Sequence, residues 1–579
     1  MRVLLAALCL IFAACSGDGG RHIGDSAVAR IVVMPADSTV TVTDGVPVLQ
    51  PYTAHEIAAD GTDTDVTAQT AFNLDIQYGT FSAATARISG QGAGPTRVVA
   101  QFNGIQGDTG LTVYVKSSVI GPGAPPNAGD LFGNAIEDPS LAPVLVYPSD
   151  HILVPPNLGQ FDVHWNNNAA SSDDLFEVKM SNEYVDVRLY TTGLDQPNPT
   201  AFWTVFAPEV WYPIASTKQT LALDLSGLAI ASPATKGSVA AQSVDVTNES
   251  ARGGIYYWST SSQAIYRYDV STPNVPPAPF FPPGMEPSSC VGCHSLSRDG
   301  TKIAMTLNGA TSGVAAVYDV ATRVATPVAA NGYSGFDFSA FNSDATKMFT
   351  IDAGVLNLRT LDGTLLGGPF APMTAGTSVT HPEVSPDNTK LVTVEYSGGA
   401  DYYVSTGTIV IWDYDDATNT IANPRVLVAS DAANGVQNYY PSFSPDGQWI
   451  AFTRDNGYSY NNPSAEIWVI KADGTGAPVQ LLTSDTATGS LTNSWARWVP
   501  FGQTFGASDT PMFYLTFSSQ RPFGVRIPGG GRPQIWMTPF FPDKAGAGTD
   551  PSGNAFRVPF QEVSSSNHIA QWTNAVVIQ

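Results

Sequence analysis

The stretch PSFSPDGQWIAFT, Pro441 to Thr453, holds an apolar run, a tight turn at Ser-Pro-Asp-Gly and a second apolar run. Gly447 after Asp446 suits the positive φ that such a turn requires, so the stretch predicts a hairpin of two short strands. The device recurs in HSLSRDGTKIAMT from His294, SAFNSDATKMFT from Ser339 and PEVSPDNTKLVTV from Pro382. A third strand-like run follows each copy: VAAVYDVATR, VLNLRTLDG, IVIWDYDDATN and EIWVIKADG. A looser fifth copy reads NSWARWVPFG, MFYLTFSSQRP and QIWMTPFFPD.

Repeats of this size, built of four short strands, predict the blades of a β-propeller. GGIYYWSTSSQAIYRYDV, from Gly253, supplies outer strands without an inner one, and the terminal NHIAQWTNAVVI supplies an inner strand without outer ones. Together they predict a sixth blade, in which residues 571–578 pair with the segment Ile255 to Val270 and close the ring. A seventh blade is the alternative if the region before it belongs to the ring.

PSFSPDG matches in full the Pro-x-x-Ser-Pro-Asp-Gly turn of TolB-like repeats, which this half of the chain resembles from about Gly253 onward. The resemblance implies a TolB-like, WD-like propeller over residues 251–579. The N-terminal α/β domain of TolB has no counterpart here, so a role in the Tol–Pal system does not carry over.

Outward toward the N-terminus, runs of period-two alternation continue. RIVVMPADSTVTVTDGVPVLQPYTAHEIAADGTDTDVTAQTAFNLD, from Arg30, resembles a bacterial immunoglobulin-like domain of group 2, assigned to residues 29–117. Its DGTDTD turn lacks the spacing of an EF-hand loop and reads as solvated. Residues 118–140, rich in Gly and Pro, read as a linker. Residues 141–250 alternate again and resemble an immunoglobulin- or fibronectin-like sandwich, with Trp165 in its core and His151 and His164 structural. The fold class expected is therefore all-β: two β-sandwich domains and then a six-bladed propeller.

The 579 residues carry 27 Lys and Arg against 50 Asp and Glu, a net charge of −23. No basic stripe exists to neutralise phosphates, which excludes nucleic acid as a partner. Residues 1–15, MRVLLAALCLIFAAC, combine one Arg with a short apolar run and read as a signal peptide. FAAC resembles a lipobox, with Cys15 as the lipidated residue and residues 16–28 as a tether. Ser16 after it points to the outer membrane, so the expectation is an envelope lipoprotein held by a lipid anchor alone.

Cys290, Cys293 and His294 form CVGCH, the attachment sequence of c-type haem. Two thiols at this spacing meet the two vinyl groups, and the adjacent His supplies the proximal iron ligand. A Cys290–Cys293 disulfide is the competing reading, favoured by the same oxidising compartment. Another metal is the third; zinc lacks a second ligand pair at standard spacing. Aligning the repeats on Leu296, Val384, Phe443, Trp498 and Trp572 places His294, His381 and His568 where inner strands enter one channel mouth. On that register His568 is the favoured distal haem ligand, Met285 the runner-up, and Met305 core.

No nucleophile elbow, zinc-protease helix or P-loop is present, so no catalytic residue is assigned. Beside an enzyme that would use the channel mouth as its pocket, two functions follow from the sequence. One is an envelope propeller that binds a partner and carries haem c for electron transfer or sensing. The other is a haem-free scaffold with a disulfide that docks a protein or glycan.

Overall fold

The computed structural model describes residues 29–193, 199–273, 275–281, 291–307, 314–328, 333, 335–459, 461–485 and 491–574. Cys15, Met285 and Cys290 lie outside them. The described chain is built of strands, with a few short helices, and none of its helices is long and apolar enough to cross a membrane. It divides into two compact units, one holding residues up to 39, 49–88 and 95–112, the other 40–48, 89–94 and 113 onward.

In the first unit, Arg30–Met34, Thr53–Ile57 and Asp63–Asp65 form one antiparallel sheet. Gly79–Ser82 and Thr85–Ile88 form a hairpin. Ile31, Val33, Ala54, Ala86, Ile88, Val98 and Leu111 are buried, and alternating neighbours face water. That is the period-two signature of sheets with one covered face.

The second unit opens with two packed sheets. Leu175–Ser181 lies between Val185–Thr191 and Leu221–Leu228 in one, and Phe161–Asn166 between Val144–Tyr147 and Ala201–Phe206 in the other. Trp165, fully buried, bridges them: its ring centroid is 5.0 Å from Phe176 of one sheet and 6.1 Å from Phe202 of the other. Residues 118–140, expected as a linker, hold a helix at Ala128–Asn134. Ala128 and Phe132, one helical turn apart, bury against Leu175, Tyr190 and Leu228.

Six antiparallel sheets follow, five of four strands and the last of five, in which Gln503–Phe505 adds a short strand. Blade 1 has Gly254–Ser259, Ala264–Asp269 and Ala278–Phe281, and takes its inner strand, Asn567–Thr573, from the end of the chain. Gly254 pairs with Thr573 and Trp258 with His568. The inner strands of blades 2 to 6 are Val291–Leu296, Phe338–Phe341, Ser378–Val384, Gln437–Phe443 and Ser494–Trp498. Each inner strand contacts the next, and that of blade 2 contacts that of blade 1, so the ring closes with six blades and no seventh.

The turn read in the sequence has one construction in blades 2 to 5. In blade 5 the Ser444 hydroxyl accepts a hydrogen bond from the Trp449 amide at 2.9 Å, and Ser297 and Ser385 accept from Lys302 and Lys390 at the same distance. In blade 3, Asn342 replaces the Ser and its Oδ1 accepts from the Lys347 amide at 2.9 Å.

The two-sheet region meets blade 6 through specific polar contacts. Arg526 donates to Asp162 at 2.7 Å, and the Tyr514 hydroxyl donates to the Leu153 carbonyl at 3.2 Å. His164, fully buried, sits 3.7 Å from Asp162 and edge-on to Phe523. His151 pairs with Asp245 at 3.2 Å. His164 is thus held by ring packing and His151 by its carboxylate.

Candidate binding site at the channel mouth

A two-residue repeat would send alternate side chains of each inner strand toward the channel. The structure interrupts that alternation with a bulge. Pairing with the second strand slips between Thr380 and Glu383, between Tyr439 and Ser442, between Ser494 and Arg497, and between Gly292 and Ser295. In the bulges His381, Tyr440 and Trp495 take positive φ of 46°, 51° and 59°, and Ile569 takes 51° in the inner strand of blade 1. Non-glycine residues pay for this backbone region, and bulges commonly re-aim side chains beside functional sites.

The bulges send these side chains into one cavity of about 370 Å³. Counting back from the aligned residues Leu296, Phe341, Val384, Phe443, Trp498 and Trp572, all six residues one position earlier line it: Ser295, Ala340, Glu383, Ser442, Arg497 and Gln571. Three positions earlier stand Phe338, His381, Tyr440, Trp495 and Ile569, which also line it. His294 lines it from two positions earlier. His568 stands four positions earlier, beyond the bulge, and is not among the described residues that line the cavity. His294 and His381 thus both line the cavity, and His568 lies outside its described lining. The strand register puts residue 293 at the His381 position of blade 2.

One side of the cavity wall is aromatic. Tyr440 stacks on Trp495 with centroids 3.6 Å apart at 20°, His381 lies 4.3 Å from Tyr440, and Phe338 meets His381 edge-on at 4.7 Å. Polar groups of the wall are tied back into the blades. The Tyr440 hydroxyl donates to the Ser459 carbonyl at 3.0 Å, and Trp498 Nε1 to the Ser442 carbonyl at 3.0 Å. Glu383 Oε1 accepts from the Ser442 hydroxyl and the Phe443 amide, both at 3.1 Å. Arg298 donates to the Val384 carbonyl at 3.0 Å and lies 3.9 Å from Glu383.

Trp258, His294, His381 and Arg497 are the exceptions, each with an enclosed nitrogen that has no hydrogen-bond partner. His381 is 5% exposed, and neither ring nitrogen has a hydrogen-bond partner. Burial, and then the Arg497 guanidinium, hold its pKa well below the usual histidine value. Burial likewise holds His294 and His568 down to about 4, with Arg497 adding to the effect at His294. At His294 the backbone of Ile569 and Tyr256 lies close enough to favour the charged ring, yet neither nitrogen has a partner of hydrogen-bond geometry. Arg497 donates to the Ala496 carbonyl at 2.9 Å, and its Nε has no partner. Among the described residues it forms no ion pair within 4.0 Å. Burial lowers its pKa, partly offset by Glu383 and Tyr440.

Of the residues singled out in the sequence, His294 and His381 thus meet in one cavity, and Arg497 was missed. Its signal was present: in NSWARW it directly precedes Trp498, the position that faces the channel in every blade. No group of three or more His, Cys, Asp or Glu able to hold a metal ion occurs among the described residues. Met305, fully buried, packs with Ile303 and Tyr318 in the core between blades.

No family model matches the sequence, and no curated protein matches it. Among solved structures, similar chains include TolB from Acinetobacter baumannii, 13% identical, covering 61% of this chain and 79% of that one with a TM-score of 0.34. A TolB-type structure from Agrobacterium tumefaciens is 13% identical over 56% of this chain and 99% of its own, with a TM-score of 0.31. The Swd1 propeller domain of Myceliophteria thermophila is 12% identical over 52% and 92%, with a TM-score of 0.27. At such scores the six closed blades, rather than these likenesses, establish the propeller.

Proposed function

We propose that this protein is a cell-envelope binding propeller that takes its ligand at the mouth of the central channel. The observation that carries the reading is the meeting of His381 and Arg497 in the wall of one aromatic cavity, the histidine buried with neither nitrogen partnered and the half-buried arginine with its Nε enclosed and unpartnered. Buried polar groups are ordinarily satisfied, and a set left open around a cavity marks a place where something else completes it. Propellers host many unrelated functions, so the site and not the fold supports the reading. The test is Ala340→Trp, which fills the cavity from blade 3. Native mass spectrometry of the wild type and the variant against envelope glycans and metabolites should show ligands lost on filling, at unchanged melting temperature. Ligands bound equally by both proteins would place the site elsewhere.

A second reading keeps the CVGCH sequence as a haem attachment site. His294 supports it: the ring lines the cavity, is buried, and has no partner of hydrogen-bond geometry on either nitrogen, as an axial ligand requires. Cys290 and Cys293 would hold the group and His294 its iron, and the group would supply one-electron chemistry. A protein matured in a host with c-type machinery should then show haem absorption and a covalent mass increase. Their absence, with a Cys290–Cys293 disulfide in its place, would leave the haem-free binding propeller. The lipid anchor at Cys15 is tested separately: Cys15→Ser should move the protein from the membrane to the soluble fraction, and retention in the membrane would refute it.

A further inference from the structure

We infer that the channel ligand is an organic anion, its carboxylate taken by Arg497 and its planar or apolar body held by Tyr440, Trp495 and Phe338. The inference rests on the channel-mouth reading and names the chemistry of what binds there.

The argument starts with charge. A guanidinium removed from water is costly unless a counter-charge and acceptors replace the lost hydration. Arg497 has one hydrogen bond, to the carbonyl of Ala496, and an Nε without a partner. Glu383 is the nearby carboxylate, but it is occupied by Ser442 and Phe443 and faces Arg298 at 3.9 Å. The cavity thus holds two arginines and one glutamate, a local excess of one positive charge. This excess lies inside a chain of net charge −23. A half-buried cation in a cavity wall, its Nε enclosed and without a partner, calls for an anion. The planar guanidinium fork fits a carboxylate, for which two parallel N–H···O bonds are available.

Shape supplies the second half. Arg497 is on the inner strand of blade 6, His381 on that of blade 4 and His294 on that of blade 2, so the polar groups alternate around the ring. Between His381 and Arg497 runs an aromatic wall, the Tyr440–Trp495 stack closed by Phe338. Two residues of this wall, Tyr440 and Trp495, and its histidine, all bulky, are held at positive φ by their bulges. Aromatic faces in such a slot suit a flat or apolar body, and the neutral ring of His381 offers one donor and one acceptor to a polar edge of it. The volume, about 370 Å³, admits a small molecule with its acid group toward Arg497.

The experiment uses three probes with one ring and one side-chain length: phenylacetate, 2-phenylethanol and phenethylamine. Isothermal titration of each into the full chain, and into the Cys290→Ser/Cys293→Ser protein so that no attached group fills the mouth, gives the charge preference. Phenylacetate should bind at least ~10-fold tighter than the alcohol or the amine, a ratio set by one charge-assisted pair. Arg497→Gln should abolish the preference, and Arg497→Lys, which keeps the charge without the fork, should retain part of it. If the alcohol or amine binds as well as the acid, the anion class is wrong while a channel site stands. If the preference survives Arg497→Gln in a folded protein, Arg497 is not the anion's partner. If none of the three binds into the millimolar range, both the class and the channel site fall.

Discussion

Protonating His294, His381 or His568 would put a cation into a site that is 5% exposed in each case. Burial keeps all three rings neutral, with pKa values of about 4 at His294 and His568 and well below normal at His381. The unfolded chain takes up these protons near pH 6.5, so the stability from each neutral ring is present above that pH and is lost as pH falls toward 4. One such ring costs about 2 kcal/mol at pH 5 relative to neutral pH. Buried carboxyls act in the opposite sense. Burial raises Asp337 to about 8, and Asp455 and Asp485 to about 7, and stability from their protonated forms is lost as pH rises through those values. His381→Phe isolates the histidine contribution. Its melting temperature should fall less than that of the wild type between pH 7 and pH 5. Parallel curves would mean that His381 is protonated in the folded state.

The blade turn shows what local sequence can specify. Ser444, Ser385 and Ser297 are buried, and each hydroxyl takes the amide that opens the second strand of its blade. Ser444→Ala leaves the Trp449 amide buried without an acceptor, so the variant should lose about 1–3 kcal/mol in urea unfolding. Ser444→Asn should recover part of it, because Asn342 does the same work in blade 3. An Ala variant as stable as the wild type would show that the turn is held by its backbone bond alone. This is also why the hairpins were legible: strand, Ser-x-Asp-x turn and strand lie within a dozen residues and satisfy one another. The bulges were not. A register slip between Tyr439 and Ser442 leaves period-two alternation intact on both sides, so the sequence shows neither the inward turn of Tyr440 nor the exclusion of His568 from the cavity. The helix at Ala128–Asn134 escaped for a similar reason, since its apolar face becomes clear only beside Leu175 and Leu228.

Closure joins residues more than 300 positions apart, Gly254 with Thr573 and Ser259 with Asn567. It was legible because each end of the repeat region lacks what the other carries. A chain ending before Asn567 should expose the edges of Gly254–Ser259 and the flank of blade 2, and should elute as aggregates with a broadened thermal transition. A monomeric, equally stable truncation would mean that the ring holds without its seam. The seam also has a consequence in time. Chains emerge from the ribosome N-terminus first. The inner strand of blade 1 is the last described strand to be made, and the inner strand of blade 2 is its direct neighbour. The blade that bears CVGCH therefore waits through the synthesis of four others with one flank open.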